Sequence, residues 1–308
     1  MHQKSIEEAK KRLFRGELVI FPTETVYGIG GNANNQKSIE LIYKTKNRPI
    51  SNPLICHFAN IEEIEKNFIL KDKDYELANT FWPGPLTLIL EKKINSMISP
   101  LLSNNKNYVG CRIPNNEISL SLLSIIDFPI AAPSANIATR TSITSIKDLD
   151  YKLKEIFYID GGSSVLGLES TVIKTTKNGC KILRLGSLTI EDIKIKFPKY
   201  EISIDQSDVS PGNQLKHYSP IKPIRINVDF VKKNETLLNF GINELASDIK
   251  SLNLSIDENL SDASYNFYNY LNILDSISCD GIAVAPIPDQ GLGKTINDRL
   301  RRASHKDE

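Results

Sequence analysis

Short apolar runs alternate with amphipathic stretches through the first two thirds of the chain. Residues 5–14 place apolar side chains at helical spacing, which predicts a helix that ends at Gly16. Residues 18–21 are apolar and stop at Pro22, a pattern typical of a buried strand. The same criteria predict a helix over 38–45 and strands over the ranges 54–58, 86–90, 109–113, 130–132, 157–160, 170–174 and 181–185. Strands interleaved with helices indicate an α/β domain.

The pattern changes in the last third of the chain. Residues 205–223 are polar, lack periodicity and contain three prolines, which predicts a linker. Beyond it, residues 263–274 follow a helical pattern, residues 281–285 form an apolar run of strand type, and a basic helix ends at Arg302. We therefore expect three segments: an α/β domain over 1–204, the linker over 205–223 and a smaller α/β domain over 224–308.

Composition narrows the classes of function. The chain has 308 residues, of which 40% are hydrophobic and 24% charged, so it is long enough for two domains and too apolar to be disordered. Its 38 basic and 37 acidic residues leave a net charge of +1, which disfavours binding of nucleic acid over the whole surface. No segment predicts a secretory or membrane-spanning helix, and the four cysteines and four histidines show no zinc-site spacing. Scattered thiols suggest a reducing compartment, so we expect a cytoplasmic protein.

Two glycine-rich motifs resemble nucleotide-binding loops, but each lacks an essential residue. Residues 28–33 read GIGGNA after a predicted strand, yet no acidic residue lies between Glu40 and Glu62 to bind a ribose. We therefore expect these glycines to form a tight turn. Residues 291–295 read GLGKT, but a P-loop requires glycine where this chain has Pro288. Neither motif predicts a nucleotide site.

Charged residues at the ends of predicted elements offer more chemistry. Lys46 and Arg48 stand one residue apart before a proline and are suited to clamp a triphosphate, although charges at a helix end are often only solvated. Arg112 lies inside an apolar strand, where burial requires an anionic partner. The sequence leaves open whether that partner is an internal carboxylate or the carboxylate of a ligand. His57 and His217 show no triad or metal-site pattern, so we expect structural or binding roles.

The order of several short motifs is more specific than any one of them. The chain resembles the YrdC-like family of threonylcarbamoyl-AMP synthases in the ordered motifs FPTETVYG, KNRPISNPLICH, WPGPLTLIL, VGCRIP, AAPSAN, DGG, LESTV and ILRLG. It resembles the long, two-domain form of that family in SPGNQLKHYSP and DQGLGKTINDRLRRAS. The resemblance covers almost the whole chain and is weakest over 224–257. It implies an α/β fold: a YrdC-like twisted mixed sheet with helices, followed by a smaller, Rossmann-like C-terminal α/β domain.

The resemblance also implies a reaction. Family members condense L-threonine, bicarbonate and ATP into L-threonylcarbamoyl-adenylate and release pyrophosphate, so the chain is expected to be a nucleotidyltransferase with ATP as substrate and Mg²⁺ beside it. A separate transferase then uses the product to make N6-threonylcarbamoyladenosine next to the anticodon of tRNA, which makes that transferase and tRNA indirect partners and involves no membrane. The alternative is a non-catalytic module that binds double-stranded RNA, which the near-zero net charge disfavours.

The family's functional residues can be carried onto matching positions. The resemblance assigns the threonine site to Thr25, His57, Arg112, Ala132 and Ser170. It assigns ATP to Lys46, Arg48, Asn52, Tyr108, Ser134, Ser142 and Arg184, with Tyr218 of the linker over the nucleotide. We expect the catalytic charge to come from Lys46, Arg48 and Arg112. The linker around His217 and Tyr218 is expected to act as a lid, and no residue is assigned to a metal.

One loop departs from the family pattern. After PSAN, family members usually read S-G-R-P-S, whereas residues 138–142 of this chain read ATRTS. Both the glycine and the proline are missing, so we expect the loop that carries Ser142 to differ near the nucleotide. The C-terminal domain is also shorter than usual for the family.

Overall fold

The computed structural model describes residues 2–205 and 218–305, which form two β-sheets with helices packed on them. Residues 2–205 contribute the strands β1 (Val19–Phe21), β2 (Gly28–Asn32), β3 (Ile55–His57), β4 (Phe68–Ile69), β5 (Leu86–Lys92), β6 (Tyr108–Arg112), β7 (Ile130–Ala131), β8 (Phe157–Tyr158), β9 (Thr171–Thr175), β10 (Gly179–Arg184) and β11 (Glu201–Ile204). The accompanying α-helices are α1 (Gln3–Phe14), α2 (Gln36–Lys46), α3 (Ile61–Asn67), α4 (Asp72–Phe81), α5 (Glu117–Ser124) and α6 (Ile190–Lys196). Short 3₁₀ turns span Pro100–Ser103, Ile146–Asp148 and Tyr151–Leu153.

The eleven strands within residues 2–205 form one mixed sheet. Their order is β11-β10-β9-β5-β6-β3-β7-β2-β1-β8, with β4 paired to β5. Strands β3 and β6 run parallel, whereas β7 is antiparallel to both of its neighbours, β2 and β3. The predicted mixed α/β sheet is confirmed.

Strand β1 shows why the apolar run in this part of the sequence is continuous. Ile20 packs into one hydrophobic core with Ile29. Val19 and Phe21 pack into another core, together with Leu13 of α1. Successive side chains of a strand point to opposite faces, so a strand covered on both sides needs apolar residues at every position.

The glycine-rich stretch 28–32 is strand β2, and the expected tight turn is wrong. Gly30 pairs with Val19 in an antiparallel ladder with β1. A Cβ atom on Gly30 would lie 2.4 Å from Cγ2 of Ile130 and 2.9 Å from the ring of Phe21. The glycine therefore allows close packing of neighbouring side chains onto β2.

Helix α2 carries the two predicted phosphate-binding cations to its C-terminal end. The side chain of Asn35 caps the start of the helix, since it accepts hydrogen bonds from the backbone N–H groups of Lys37 and Ser38. Asn47 ends it with a left-handed φ of +52°. The chain thus leaves the helix directly after Lys46 and turns toward the large sheet.

The second sheet belongs to the C-terminal part of the chain. Its strands β12 (Ile224–Arg225), β13 (Glu235–Asn239), β14 (Ser251–Asn253) and β15 (Gly281–Val284) are all parallel, in the order β12-β15-β13-β14. Helices α7 (Leu260–Ser276) and α8 (Leu292–Ser304) pack against them. This confirms the smaller, Rossmann-like α/β domain. The sequence pattern predicted β15 and α7 but not the short strands between residues 224 and 253.

The GLGKT segment marks the start of helix α8. Gly291 precedes the helix with a φ of +48°. A Cβ atom on Gly293 would lie 1.9 Å from the carbonyl oxygen of Pro288, so a glycine is required here for a tight approach of backbone. The segment therefore serves the packing of a helix.

The domain boundaries at residues 204 and 224 stay a proposal. Residues 206–217, which make up most of the proposed linker and include His217, lie outside the described residues. Within 2–205 and 218–305, no helix is both long and apolar enough to cross a membrane.

Candidate active site

A cavity lies over strands β3, β6 and β7 of the large sheet. The space between the lining atoms amounts to about 590 Å³, part of it open to solvent. Ile55 and His57 of β3 face the cavity, whereas Cys56 between them faces the core, because side chains alternate along a strand. The lining comprises Thr23, Thr25, Val26, Tyr27, Gly28, Arg48, Pro53, Ile55, His57, Arg112, Ala132, Pro133, Ser134, Glu169, Ser170, Arg184 and Tyr218.

Arg112, at the end of β6, is the buried cation of one cavity wall. Its Nη1 donates a hydrogen bond of 2.9 Å to Thr25 Oγ1, and its Nε donates to the carbonyl of Gly84 at 3.3 Å. Its Nη2 lies 2.7 Å from Glu24 Oε1. The structure thus answers the question left open by the sequence, since Arg112 has an internal carboxylate partner and also faces the cavity. The contact with Glu24 is an ion pair without hydrogen-bond geometry.

His57 is a neutral group in this wall. Its side chain is buried, and its ring meets that of Phe21 edge to face at 6.0 Å. Burial, together with the nearby charge of Arg112, lowers the pKa of His57 to about 3. Its Nδ1 has no hydrogen-bond partner among the described residues. A neutral imidazole here can offer a ligand one hydrogen-bonding nitrogen.

Lys46 and Arg48 approach the cavity from the end of α2. Lys46 is almost fully buried, and its Nζ donates to the carbonyl of Ser134 at 2.6 Å and to that of Asn136. Arg48 donates from Nε and Nη2 to the backbone and side-chain oxygens of Asn52, at 3.0 and 2.6 Å. Within 2–205 and 218–305, neither cation lies in an ion pair. Two positive charges held only by neutral oxygens attract an anion.

Burial lowers the pKa of Lys46 well below its ordinary value, with the charge of Arg48 as a second cause. A phosphate group beside it would favour the charged form again.

The opposite wall is built around Glu169, which precedes strand β9. Its Oε1 accepts hydrogen bonds from Ser142 Oγ at 2.6 Å and from the hydroxyl of Tyr268 at 2.8 Å. Its Oε2 accepts from Arg299 Nε at 3.0 Å. Burial by itself raises the pKa of Glu169, but Arg299, Arg184 and the hydrogen bond from Ser142 outweigh it, so the pKa lies below its usual value. Glu169 is thus held as a carboxylate.

Arg184 and Ser170 join this wall through short hydrogen bonds. Arg184 Nη2 donates to the carbonyl of Ser170 at 2.8 Å and to its Oγ at 3.2 Å. Ser170 Oγ also lies 2.8 Å from Thr87 Oγ1. Three elements of the large sheet thereby fix the position of the Ser170 hydroxyl at the cavity.

Tyr218 closes the cavity from the C-terminal part of the chain. It is buried and adopts a left-handed φ of +62°, rare for an aromatic residue. The guanidinium of Arg299 lies 4.6 Å from its ring centre, a cation–π contact. The next residue, Ser219, donates its backbone N–H to the carbonyl of Thr139 at 2.7 Å.

Comparison with known proteins also divides the chain into two parts. The Sua5/YciO/YrdC family, described as "Telomere recombination", matches residues 11–186, and the C-terminal domain of threonylcarbamoyl-AMP synthase matches residues 187–305. The threonylcarbamoyl-AMP synthase of Pyrococcus abyssi is 34% identical over 97% of this chain and 95% of its own length. The chain belongs to the Sua5 family of threonylcarbamoyl-AMP synthases.

Further members of the Sua5 family support this membership. The Bacillus subtilis threonylcarbamoyl-AMP synthase is 33% identical over 97% of this chain and 92% of its own length. The crystal structure of P. abyssi Sua5 complexed with L-threonine matches with a TM-score of 0.85 and 31% identity, over 97% of this chain and 94% of that chain. The chain is therefore a nucleotidyl-transferring synthase with ATP as a substrate, and the alternative of a non-catalytic RNA-binding module is not favoured.

Most of the site residues expected from the Sua5 family resemblance converge on this cavity. Nine of them line it: Thr25, Arg48, His57, Arg112, Ala132, Ser134, Ser170, Arg184 and Tyr218. Lys46, Asn52 and Ser142 stand one layer behind and touch lining residues through the hydrogen bonds described above. Their roles toward individual ligands stay predictions.

Tyr108 is placed elsewhere. It begins strand β6, four residues before Arg112, and a strand rises about 3.3 Å per residue, so the two lie about 13 Å apart. Its half-exposed ring meets the Lys174 ammonium at 4.3 Å. The structure therefore gives no support to the expected contact between Tyr108 and ATP.

Sequence reasoning missed Glu24, Glu169, Tyr268 and Arg299 as parts of the site. Glu24 and Glu169 stand inside quoted motifs, PTETVYG and LESTV, but a carboxylate in a loop gives no local sign of burial. Arg299 lies in a basic helix, where an arginine is usually solvated, yet it is fully buried. The one available signal was the Sua5-type DRLRR motif itself.

The loop that departs from the Sua5 family pattern carries a strained residue. Thr139, at the position where the family usually has glycine, adopts a left-handed φ of +69°. Side chains branched at Cβ are true outliers in this region. Thr139 thus adopts a backbone conformation that glycine adopts without strain, and Ser142 of the same loop donates to Glu169.

Proposed function

We propose that this chain condenses L-threonine, bicarbonate and ATP into L-threonylcarbamoyl-AMP and releases pyrophosphate. The observation that carries the proposal is the juxtaposition, at one cavity, of a buried arginine beside hydroxyl and imidazole groups and of a second arginine, Arg48, with Lys46 one layer behind the lining. Among the described residues, Lys46 and Arg48 are held by neutral oxygens. An amino acid needs the first set of groups, and a nucleoside triphosphate needs the second. The relative from P. abyssi was crystallised with L-threonine.

In the proposed reaction the threonine amine attacks the carbon of bicarbonate, and water leaves with the formation of a carbamate. A carbamate oxygen then attacks the α-phosphate of ATP, and pyrophosphate leaves as that bond forms. The substrate itself supplies the nucleophile, so the protein contributes position and charge.

The side chains of the first wall suit the threonine end of the reaction. The guanidinium of Arg112 forks onto the threonine carboxylate, and Thr25 and the neutral His57 contact the polar groups beside it. Ala132 leaves room for the substrate, and the Ser170 hydroxyl is held by Arg184 and Thr87.

The second set suits the nucleotide. Lys46 and Arg48 offset the charge that builds on the phosphates as the bond to pyrophosphate breaks. Ser134 and Arg184 line the same space, Asn52 and Ser142 support lining residues from behind, and Tyr218 covers it. Covering the product excludes water from a labile mixed anhydride.

Mg²⁺ was expected with ATP, but the protein side chains do not by themselves fit a resident ion. The two carboxylates at the cavity, Glu24 and Glu169, are both paired with arginines. The described residues contain no cluster of three or more His, Cys, Asp or Glu suited to a metal. Mg²⁺ is held mainly by carboxylates and phosphates, so only the phosphates of ATP would offer it ligands here. No step proposed here passes through a protein-bound metal.

The biological setting follows from the product. We propose that a separate transferase passes the threonylcarbamoyl group to tRNA, where it forms N6-threonylcarbamoyladenosine next to the anticodon, and that this takes place in the cytoplasm.

The test is pyrophosphate release from ATP in the presence of bicarbonate. Release should require both L-threonine and bicarbonate and should fall strongly when serine replaces threonine. A folded protein that releases no pyrophosphate in response to threonine would refute the proposal. Binding of double-stranded RNA that weakens steeply with salt would then be measured next.

A further inference from the structure

The largest fully buried side chain of the described residues is Arg299, and it belongs to the C-terminal sheet domain. Its side chain extends from helix α8 to the wall of the cavity in the large-sheet domain. There it donates to Glu169 Oε2 at 3.0 Å and to the carbonyl of Leu185 at 2.6 Å, and it lies 4.6 Å from the ring centre of Tyr218. Asp298 is also paired with it.

A second helix of the same domain reaches the same carboxylate. The hydroxyl of Tyr268, on α7, donates to Glu169 Oε1 at 2.8 Å. Helix α8 also binds backbone of the large-sheet domain, since Thr295 Oγ1 donates to the carbonyl of Gly186 at 3.0 Å. Helix α7 approaches the backbone at Gly167 so closely that a Cβ atom on this glycine would lie 2.0 Å from the carbonyl oxygen of Ser264.

These contacts converge on the residues proposed for the nucleotide. Ser142 donates to Glu169, Arg184 lies close enough to lower the pKa of that carboxylate, and Tyr218 stacks on Arg299. The proposed threonine wall is different, because Arg112 finds its ion-pair partner, Glu24, within the large-sheet domain. From the C-terminal domain, the nucleotide side is thus held by hydrogen bonds to Glu169, whereas Val26, beside Thr25 on the threonine side, meets that domain through apolar packing.

We propose that Arg299 is a positioning residue for the nucleotide side of the active site, acting through Glu169 and Tyr218. The C-terminal domain is then a part of the ATP site, although none of its α8 side chains lines the cavity. This inference rests on the proposed function for the assignment of the two sides.

The test separates the affinities for the two substrates. Arg299→Lys keeps the positive charge but cannot reach Glu169, the Leu185 carbonyl and the ring of Tyr218 together, since lysine lacks the planar fork. We expect the KM for ATP to rise about tenfold, the effect of one lost charge-assisted hydrogen bond, with the KM for L-threonine unchanged. The matched control is Arg302→Lys, one turn along the same helix and paired with Asp298, which should leave both KM values unchanged.

A purely structural role for Arg299 predicts a different result. Loss of folded protein would lower kcat alone and leave both KM values where they were, and this outcome would overturn the proposal, as would an equal rise in both. If Arg299→Lys does not fold, Tyr268→Phe tests the same proposal, because it removes one uncharged hydrogen-bond donor to Glu169 and leaves the buried charges paired. It should raise the KM for ATP about threefold, and no change would count against the proposal.

Failure of the proposed function can be distinguished from failure of the positioning role of Arg299. A wild-type protein without threonine-dependent pyrophosphate release would refute the reaction. Calorimetric binding of ATP to the wild type and to Arg299→Lys would still test the positioning role, with about tenfold weaker binding expected for the variant and equal binding overturning the inference.

Discussion

Two buried arginine–carboxylate pairs stand beside the cavity, and their charges are satisfied to different degrees. Glu169 accepts three hydrogen bonds, from Ser142, Tyr268 and Arg299. Glu24 lies 2.7 Å from Arg112, but neither of its oxygens accepts a hydrogen bond among the described residues. The first pair joins two domains, whereas the second lies within one.

The difference suggests different tasks for the two pairs. A fully bonded carboxylate is costly to disturb, so the pair at Glu169 is suited to hold a fixed wall. An incompletely bonded pair gains when a ligand supplies the missing hydrogen bonds. Arg112 Nη2, which has no hydrogen-bond partner among the described residues, is therefore suited to donate to a second carboxylate, while Glu24 offsets the buried charge of the arginine.

The largest expected effect is on turnover at the first pair. Arg112→Met should reduce threonine-dependent pyrophosphate release about a thousandfold, because the substrate carboxylate loses its fork of donors. The double variant Arg112→Met/Glu24→Gln removes the stranded carboxylate and should unfold at a urea midpoint close to that of the wild type, yet remain inactive. Activity restored in the double variant would show that Arg112 serves the fold alone.

The second pair should dominate stability. Arg299→Met strands Glu169 as a buried charge and should lower the free energy of unfolding by about 3–5 kcal/mol. Arg299→Met/Glu169→Gln should recover a large part of that loss. Urea titrations followed by circular dichroism measure both. Arg112→Met should destabilise less, since Arg112 makes no hydrogen bond to Glu24 that could be lost, and a loss as large as that of Arg299→Met would contradict the comparison between the pairs.

A pH titration sharpens the contrast by isolating His57 in the first wall. Burial beside Arg112 lowers the pKa of His57 from 6.5 to about 3, so between these values the unfolded chain binds a proton that the folded chain does not. Stability from this group is complete above pH 6.5 and is lost as the pH falls, by up to about 1.4 kcal/mol per pH unit.

His57→Gln should remove that slope. The free energy of unfolding of variant and wild type is measured at intervals between about pH 5 and 6.5. Most carboxylates titrate below this range, so they contribute little to the slope. Identical slopes would mean that His57 binds its proton equally well in the folded and unfolded protein, which would contradict the lowered pKa.

The smallest expected effect concerns the loop beside the second wall. Thr139→Gly should raise the free energy of unfolding by about 1 kcal/mol, because glycine adopts the φ of +69° without a clash at Cβ. Thermal unfolding measures the gain, and Thr141→Gly in the same loop is the control, where no gain is expected. A loss of stability in Thr139→Gly would mean that the threonine side chain contributes more than its backbone strain costs.

Local patterns predicted the strands that carry most of the site. The apolar runs over 54–58 and 109–113 correspond to β3 and β6, which deliver His57 and Arg112 to the cavity. They failed for β2, because glycines in a strand look like a turn when the side chains that pack onto them are unknown. They also failed for β12, β13 and β14, of which β12 and β14 are only two and three residues long.

By itself, the sequence determined the family, through the order of its motifs, and it determined that Arg112 needs an anion, because burial of a lone charge is too costly. Tertiary structure alone decided that this anion is Glu24, and that Glu169 meets Arg299 from 130 positions away. The physical reason is that helix and strand periodicity act over a few residues, whereas the pairing of buried charges depends on which distant segments the fold brings together.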